Sequence, residues 1–202
     1  MCIRDRLSYR QTLDLRGAIL TREVRFCDDA GRTSSLTQQR FVAMHLPHVG
    51  ALQTTIVAED WSGTVEIRST LDGNVNNSLV ERYRDLANDH LGLVEKREIN
   101  DHSVLLTIQT TQSRIPIAMA ARSILWRDGA PVPATYRLVD QAAEIGHDIA
   151  VELSLGDVLT VEKVVTLFTG RDVATSEPAV DAERWLSRLG RFAELRLSLI
   201  HI

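Results

Sequence analysis

Hydrophobic and polar residues alternate in short segments along most of the chain, and the clearest alternation spans residues 64–71. Val65, Ile67 and Leu71 fall on one side of an extended segment, while Glu66 and Arg68 fall on the other. A period of two is typical of a half-buried β-strand. Turn residues bound this segment, with Trp61-Ser62-Gly63 before it and Asp72-Gly73-Asn74 after it. The pattern therefore predicts a strand between two tight turns.

Similar segments occur before and after this one, and short stretches of polar, Gly or Pro residues separate them. Strands are predicted over 9–15, 18–26, 32–44, 48–58, 93–99, 103–109, 115–126, 132–139, 145–155 and 157–168. The first two are expected to form a hairpin, and the last is expected to be central because apolar residues occur on both of its faces. Many short strands with almost no helical period indicate a mainly β protein, an antiparallel β-sandwich.

The pattern changes at Thr175. Ser176-Glu177-Pro178 offers an N-cap with a proline just inside a helix start. Apolar residues then follow at helical spacing, at Val180, Trp185, Leu186, Leu189, Phe192 and Leu195. We therefore expect one C-terminal amphipathic helix, whose apolar face would lack a partner.

Composition narrows the function classes. The chain has 202 residues, 44% of them hydrophobic, and a net charge of −4 without a basic patch, which argues against a nucleic-acid surface. No apolar run is long enough to predict a membrane span. Outside the first six residues Cys27 is the single cysteine, so no internal disulfide is expected, and a reducing, cytoplasmic setting fits.

Two groups of residues could suggest metal or acid–base chemistry. His45 and His48 have an H-x-x-H spacing, but Pro47 lies between them and no third ligand sits nearby in sequence, so solvated loop histidines are expected. Glu81, Asp85 and Asp89 recur every four residues like paired carboxylates. The adjacent Arg82 and Arg84 would lower a carboxylate pKa, the wrong direction for a general acid, so salt-linked loop charges are expected instead.

Other catalytic and binding motifs are weak. Ser62 lacks the flanking glycines of a nucleophile elbow, and Gly-x-Gly does not occur. The tryptophans are Trp61, Trp126 and Trp185, and aromatic residues make up only 5% of the chain. Trp61 and Trp185 are expected in the core or at an interface rather than on a sugar-stacking platform, which disfavours a dedicated lectin.

Four stretches resemble one protein family. They are EDWSGTVEIRSTLDGNVNN (59–77), RYRDLANDHL (82–91), LDLRGAILTREVRF (13–26) and TVEKVVTLFTGRD (160–172). Together, and in their order along the chain, they resemble the N-terminal β-sandwich domain of the family 65 glycoside hydrolases and phosphorylases, a family that includes trehalose, maltose and kojibiose phosphorylases and related trehalases. One departure is visible, since the family usually has its glycine one place later than Gly17.

The resemblance implies a supersandwich like that of galactose mutarotase, followed by a linker helix. It implies a non-catalytic domain whose partner is an (α/α)6-barrel catalytic domain of the same protein. The parent would phosphorolyse or hydrolyse an α-glucoside such as trehalose or maltose with inversion, without a cofactor, and inorganic phosphate would be a co-substrate if it is a phosphorylase. The family's general acid and phosphate site match no residue here, so no residue is named catalytic and the isolated chain is expected to be inactive. A homodimer is also compatible with the resemblance.

The two ends predict a truncated reading frame. Residues 1–6 and 197–202 can be encoded by reverse-complementary DNA, as expected for an adapter. The domain assignment is therefore adapter at 1–6 and 197–202, a sandwich lacking its first strands at 7–174, and the start of the helical linker at 175–196. A sandwich with an unpaired edge and an uncovered helix would aggregate or melt broadly.

The loop at 80–91 is the candidate functional segment. The resemblance implies that it packs near the mouth of the catalytic domain, and its candidates for substrate-proximal or domain-interface contacts are Arg82, Arg84, Asp85, Asp89 and His90. A solvated connection between two strands is the simpler alternative. For the whole chain, the alternative function is a stand-alone carbohydrate-binding or sugar-epimerase-like β-sandwich.

Overall fold

The computed structural model describes residues 5–76, 89–173 and 175–200. Twelve strands and two helices occur in these ranges. The strands are β1 (Asp5–Asp14), β2 (Ile19–Cys27), β3 (Thr33–Val42), β4 (Val49–Ala58), β5 (Gly63–Asp72), β6 (Leu91–Asn100), β7 (Ser103–Thr110), β8 (Pro116–Arg127), β9 (Ala130–Pro131), β10 (Thr135–Gln141), β11 (Glu144–Leu153) and β12 (Val158–Thr169). The helices are α1 (Pro178–Leu186) and α2 (Phe192–Ile200).

The strands form two antiparallel sheets, as the alternation predicted. The large sheet has the order β1-β2-β3-β4-β12-β8-β7-β6, with β9 paired to β8. The small sheet has the order β10-β11-β5. The predicted β1–β2 hairpin is confirmed, and β12 lies in the middle of the large sheet between β4 and β8.

Side chains from the two faces of the large sheet enter two different layers of core. On one face, residues such as Leu125 and Leu159 pack against Ile149 of the small sheet. On the other face, residues such as Ala120 and Val164 pack against the two helices. The fold is therefore a β-sandwich whose larger sheet is also covered by helices, and the alternation within each strand assigns each side chain to one layer.

The predicted single helix is wrong, because the chain forms two helices separated by residues 187–191. Pro178 opens α1 as predicted, although no side chain caps this end. Ala182, Leu186 and Phe192 are buried in the core under the large sheet. The expectation of an uncovered apolar helix face is thus also wrong, since the sheet itself supplies the partner.

The strand predicted over 132–139 occurs as β10, which begins three residues later, at Thr135, and the two-residue strand β9 precedes it. β9 pairs with β8 in the large sheet, whereas β10 pairs with β11 in the small sheet. Pro131 and Pro133 lack the backbone N–H that a continuous strand needs. The chain therefore crosses from one sheet to the other at this point.

The first hairpin turn explains the displaced glycine. Ala18, not Gly17, has a left-handed backbone, with φ of 51°. A Cβ on Gly17 would lie 2.6 Å from a carboxylate oxygen of Asp14, whose Oδ1 accepts hydrogen bonds from the backbone N–H groups of Arg16 and Gly17. Gly17 thus allows a close approach, while Ala18 carries the strained φ.

β1 and α2 overlap the terminal segments assigned to an adapter, since β1 begins at Asp5 and α2 ends at Ile200. The domain boundaries at 7–174 and 175–196 stay predictions. Each described helix has nine residues, and none of them is long and apolar enough to cross a membrane.

Candidate functional site

One end of the sandwich carries the predicted functional loop. The turns 14–18, 43–48, 110–115 and 170–173 all lie at this end, because the antiparallel register places their flanking strands side by side. The chain leaves the small sheet after β5 and enters β6 at the same end. We call this region the loop end.

The described part of the predicted loop lies directly beside a turn of the large sheet. Asp89 and His90 are exposed and precede β6. The backbone N–H of Thr111 donates to the carbonyl oxygen of His90 at 2.9 Å, which fixes the entry into β6. The exposed side chains of Asp89 and His90 thus lie at the loop end, beside the turn 110–115.

Asp89 and His90 are the two members of the predicted set that lie within the described residues. Three of the predicted residues fall within 77–88, outside the described residues: Arg82, Arg84 and Asp85. Their assignment stays a prediction, as does the salt-linked role expected for Glu81. The described residues do contain the anchor at Thr111, which sequence reasoning did not single out.

His48 is packed rather than solvated, contrary to the prediction. Its ring stacks on Phe168 with centroids 4.0 Å apart, and its Nδ1 lies 2.9 Å from the carbonyl oxygen of Leu167. The same nitrogen lies 3.8 Å from Oδ2 of Asp172. His45 is exposed as expected, and within the described ranges no group of three metal-ligating side chains occurs. His48 therefore orders the turn at 43–48.

The loop end also exposes large apolar side chains. These are Leu15, Val42, Met44, Val75 and Val173, of which Val173 is 97% exposed and Leu15 is 83% exposed. Exposed apolar side chains gathered at one end of a domain are typical of an interaction surface. The loop end thus combines polar loop residues with apolar contact points.

A half-buried arginine ties the helical segment to the sheet. Arg122 on β8 donates from Nη2 to the carbonyl oxygens of Leu189 at 2.9 Å and Gly190 at 3.0 Å. These carbonyls follow the end of α1, where backbone acceptors lack helical partners. Burial lowers the pKa of the Arg122 guanidinium from its ordinary value.

A buried glutamate secures the start of the second helix. Glu162 on β12 is 6% exposed and accepts hydrogen bonds from the Arg191 guanidinium, at 3.0 Å between Oε1 and Nη2. The backbone N–H of Phe192 also donates to Glu162 Oε2, at 3.4 Å. A carboxylate at a helix N-terminus satisfies free N–H groups and complements the helix dipole.

The three tryptophans are all engaged within the domain. The Arg191 guanidinium lies 3.5 Å from the centroid of the Trp126 ring. Arg32 lies over the Trp61 ring at 5.2 Å, and Trp61 Nε1 donates to the carbonyl oxygen of Thr33. Trp185 packs against the helix-side core, as expected. None of the three offers an uncovered ring platform of the kind that a sugar-binding module uses.

Lys163 is a second charged residue of the central strand, and its side chain is half-buried. It faces the small sheet and donates from Nζ to the carbonyl oxygen of Thr70 at 2.7 Å. Burial lowers the pKa of Lys163 to about 8. This side chain therefore joins the two sheets at the cost of holding a cation away from water.

Charged side chains form a row across the outer face of the small sheet. Asp148 on β11 accepts from Arg68 Nε on β5 at 2.7 Å and from Arg137 Nη2 on β10 at 2.9 Å. Hydrogen bonds from Arg68, and then from Arg137, hold the pKa of Asp148 at about 2. This row links the three strands β10, β11 and β5.

Sequence reasoning missed the residues that fix the helices. Glu162 and Arg122 lie on the helix-facing sides of β12 and β8, where most of the other side chains are apolar. A charged residue at a core position of a central strand indicates an internal partner, since burial of an unpaired charge is costly. The sequence carried that signal at Glu162. Its partner, Arg191, could not be identified because it lies in the irregular segment between the two helices.

The chain is similar to known proteins along almost its whole length. The family model described as "Glycosyl hydrolase family 65, N-terminal domain" matches residues 4–199. An uncharacterized glycosyl hydrolase of Mycobacterium tuberculosis is 54% identical over 94% of this chain and 14% of its own length. A kojibiose phosphorylase of Halothermothrix orenii is 26% identical over 87% of this chain and 22% of its own length.

More distant relatives also match most of this chain with only a small part of their own length. An alpha,alpha-trehalose phosphorylase of Thermoanaerobacter brockii is 22% identical over 82% of this chain and 21% of its own length. A solved structure titled as a putative kojibiose phosphorylase from human microbiome superimposes with a TM-score of 0.74 at 16% identity, over 96% of this chain and 24% of that one. The chain thus spans between about one seventh and one quarter of the length of these relatives.

Proposed function

Because the chain belongs to the N-terminal domains of glycosyl hydrolase family 65, we propose that it serves as the non-catalytic β-sandwich of a longer disaccharide-cleaving enzyme. The family match over 4–199 is the observation that carries this proposal. Two relatives are named phosphorylases of kojibiose and trehalose, and the chain corresponds to about a fifth of each. The chemistry of such an enzyme is assigned to the remaining length.

The parent reaction that fits is phosphorolysis of an α-linked glucose disaccharide such as kojibiose, trehalose or maltose, with inorganic phosphate as co-substrate and no cofactor. Hydrolysis is the variant in which water replaces phosphate. The buried Glu162 and the half-buried Arg122 both bind groups within the domain. This internal use supports a scaffold role for the sandwich.

The catalytic domain is proposed to dock at the loop end. Exposed apolar side chains such as Met44 and Val173 can be buried against it, and Asp89 and His90 can supply polar contacts beside them. Arg82, Arg84 and Asp85 belong to the same proposal. A rigid sandwich with long polar loops is a common arrangement for positioning groups at a neighbouring active site.

The helical segment supports this arrangement. Because Arg122 and Glu162 clamp the chain around α1 and α2, the exit from the sandwich has a fixed direction. A fixed exit limits the orientations that a following domain can adopt. A cytoplasmic location and a homodimer also belong to the proposal, and Cys27, free in the described structure, fits the former.

Assays of the full-length parent test this function. The enzyme is incubated with trehalose, kojibiose and maltose, each with and without inorganic phosphate, and released glucose and glucose 1-phosphate are quantified. Phosphate-dependent glucose 1-phosphate from one of the three supports phosphorolysis, and phosphate-independent glucose supports hydrolysis. The absence of both products from all three substrates would contradict the proposal.

A further inference from the structure

A pocket of about 560 Å³ opens between α1 and the hairpin of β6 and β7. One face of the helix lines it, since the helical residues of the pocket recur three and four positions apart. Arg122 on β8 lines it as well, beside its register partner Ser103 on β7. The helix side contributes Val180, Glu183, Arg184 and Ser187, and the hairpin contributes Ile99, Asn100 and Ser103. A cavity of this size can hold a small organic ligand.

The positive charge of Arg122 is not balanced by a bound carboxylate. Its Nη1 and Nη2 donate to three backbone carbonyls at the end of α1 and just after it, at 2.9 to 3.4 Å. Carbonyl oxygens satisfy the hydrogen bonds of a guanidinium but carry no net charge. Within the described ranges, Glu162 and Glu194 act on Arg122 only through space, and Glu162 is itself paired with Arg191.

This imbalance favours an anionic ligand. Arg122 is half-buried, and removal of its guanidinium from water lowers the pKa of the side chain. A cation held away from water without a counter-ion is unfavourable. An anion bound in the pocket would supply the missing counter-charge.

A second arginine lies on the pocket face of the helix. Arg184 is exposed, and its guanidinium pairs with Asp181 on the same helix, which leaves it close to the pocket opening. The carboxylate of Glu183, which also lines the pocket, already accepts a hydrogen bond from Arg97 on β6. The described lining therefore has a net positive charge, and the planar donors of arginine match the oxygens of a phosphate group.

Other ligand classes fit this lining poorly. A neutral saccharide usually stacks on an aromatic ring, and none of the described lining residues is aromatic. A metal cation would be repelled by the two arginines and would find one carboxylate that is already engaged. Aliphatic side chains at Ile99, Val180 and Leu186 can instead contact the C–H groups of a sugar that carries a phosphate.

We propose that this pocket binds a small phosphate-bearing ligand, either inorganic phosphate or a sugar phosphate, with Arg122 and Arg184 as the binding cations. The choice of glucose 1-phosphate as the sugar phosphate rests on the proposed function, in which phosphorolysis releases it. Because the β6–β7 turn lies at the opposite end of β7 from the turn 110–115, the site is distinct from the loop end. Arg122 also binds the carbonyls that follow α1, so an occupied pocket would stabilise the segment leading into α2.

Isothermal titration calorimetry of the 202-residue chain tests the site. Inorganic phosphate, glucose 1-phosphate, glucose and acetate are titrated separately at one ionic strength, held constant with sodium chloride. We expect one site per chain for a phosphate-bearing ligand and no binding of glucose or acetate. Tighter binding of glucose 1-phosphate would identify the ligand as a sugar phosphate, and binding of inorganic phosphate at least as tightly would identify it as free phosphate.

Matched variants locate the binding. Arg184→Ala should weaken it at least about tenfold, because a charge-assisted hydrogen bond is lost. Arg188→Ala removes a neighbouring exposed arginine that does not line the pocket, and it should leave the affinity unchanged.

A second pair of variants avoids any loss of hydrogen bonds from Arg122 to the helical segment. Ser187→Glu places a carboxylate at the pocket and should abolish binding. Ser113→Glu adds the same charge to an exposed turn at the loop end and should have no effect. Thermal unfolding confirms that each variant is folded.

Three results would overturn the proposal. They are the absence of binding by both phosphate-bearing ligands, equally tight binding of acetate or glucose, and unchanged affinity in both Arg184→Ala and Ser187→Glu. The titrations need no catalytic domain, so their failure would leave disaccharide cleavage by the parent untouched. An inactive parent would in turn leave the binding of inorganic phosphate standing.

Discussion

Arg191 Nη2 donates to Glu162 Oε1 at 3.0 Å, which joins the segment between the two helices to the central strand of the large sheet. The same carboxylate accepts from the first backbone N–H of α2. The helices are therefore an integral layer of the domain. Their apolar side chains, including Phe192 at 2% exposure, belong to the same core as the sheet.

Glu162→Ala should destabilise the domain by about 2 kcal/mol, because it removes charge-assisted hydrogen bonds to Arg191 and leaves the N-terminus of α2 uncapped. The midpoint of urea unfolding measures the loss. Glu66→Ala, which removes an exposed carboxylate from β5, is the matched control and should change the midpoint little. Equal unfolding midpoints for the two variants would show that the hydrogen bonds of Glu162 to Arg191 and Phe192 do not stabilise the helices.

Ala18→Gly should stabilise the chain by about 0.5–1 kcal/mol. A left-handed backbone costs an alanine about 1–2 kcal/mol, and the greater freedom of glycine in the unfolded chain offsets part of this gain. Ala18 has φ of 51° and is exposed, so no packing is lost. Ala30→Gly, in an exposed turn without a positive φ, should instead destabilise slightly. Thermal unfolding of both variants distinguishes relief of strain from a general effect of glycine.

Lys163→Met should make the domain more stable at pH 7 and flatten its response to alkaline pH. Burial lowers the folded-state pKa of Lys163 to about 8, below the usual 10.5. Below pH 8 Lys163 is protonated in both the folded and the unfolded state, so the free-energy cost of burying its charge does not change with pH. Between pH 8 and 10.5 the folded state loses its proton first, so stability rises with pH, by at most about 3 kcal/mol.

Unfolding free energies of both proteins from pH 7 to 10 measure this effect. Lys96→Met is the matched control, since Lys96 also donates to a backbone carbonyl, at Ala142, but should leave the alkaline rise in place. If the unfolding free energy of Lys163→Met rose with pH as much as that of the unmutated protein, Lys163 would not be the cause of the rise.

The sequence predicted the strands well because their alternation is a local property. Residues 64–71 alternate strictly, and β5 occupies that segment with its apolar side chains facing the large sheet. The central position of β12 was also readable, since both faces carry apolar residues. The position of the predicted loop could be placed only through its flanking residues Asp89 and His90, because 77–88 are outside the described ranges.

What the sequence did not reveal depends on contacts between distant residues. The helical period runs through Ser187 without an obvious break, yet α1 ends there and Arg122 binds the carbonyls that follow. The sequence around His48 predicts a solvated loop histidine, but its ring stacks on Phe168, 120 positions further along the chain. Such pairings follow from strand order, which periodicity does not encode.

Arg84→Ala and His90→Ala, each made in the full-length parent, should raise KM or lower kcat by about tenfold, or about 1.4 kcal/mol. The reason is the proposed position of the loop beside the active site. Glu152→Ala, an exposed change on β11 away from the loop end, is the control and should leave the kinetics unchanged. Unchanged kinetics and melting temperatures in both loop variants would make the loop a simple connection.

The most direct test of the central claim is an activity assay of the purified 202-residue chain itself. It is incubated with trehalose, kojibiose or maltose, with and without phosphate, beside the full-length parent and a heat-killed control. We predict that the parent releases glucose or glucose 1-phosphate from one of these substrates and that the chain alone releases neither. Product from the chain above the heat-killed control would contradict its assignment as a non-catalytic domain.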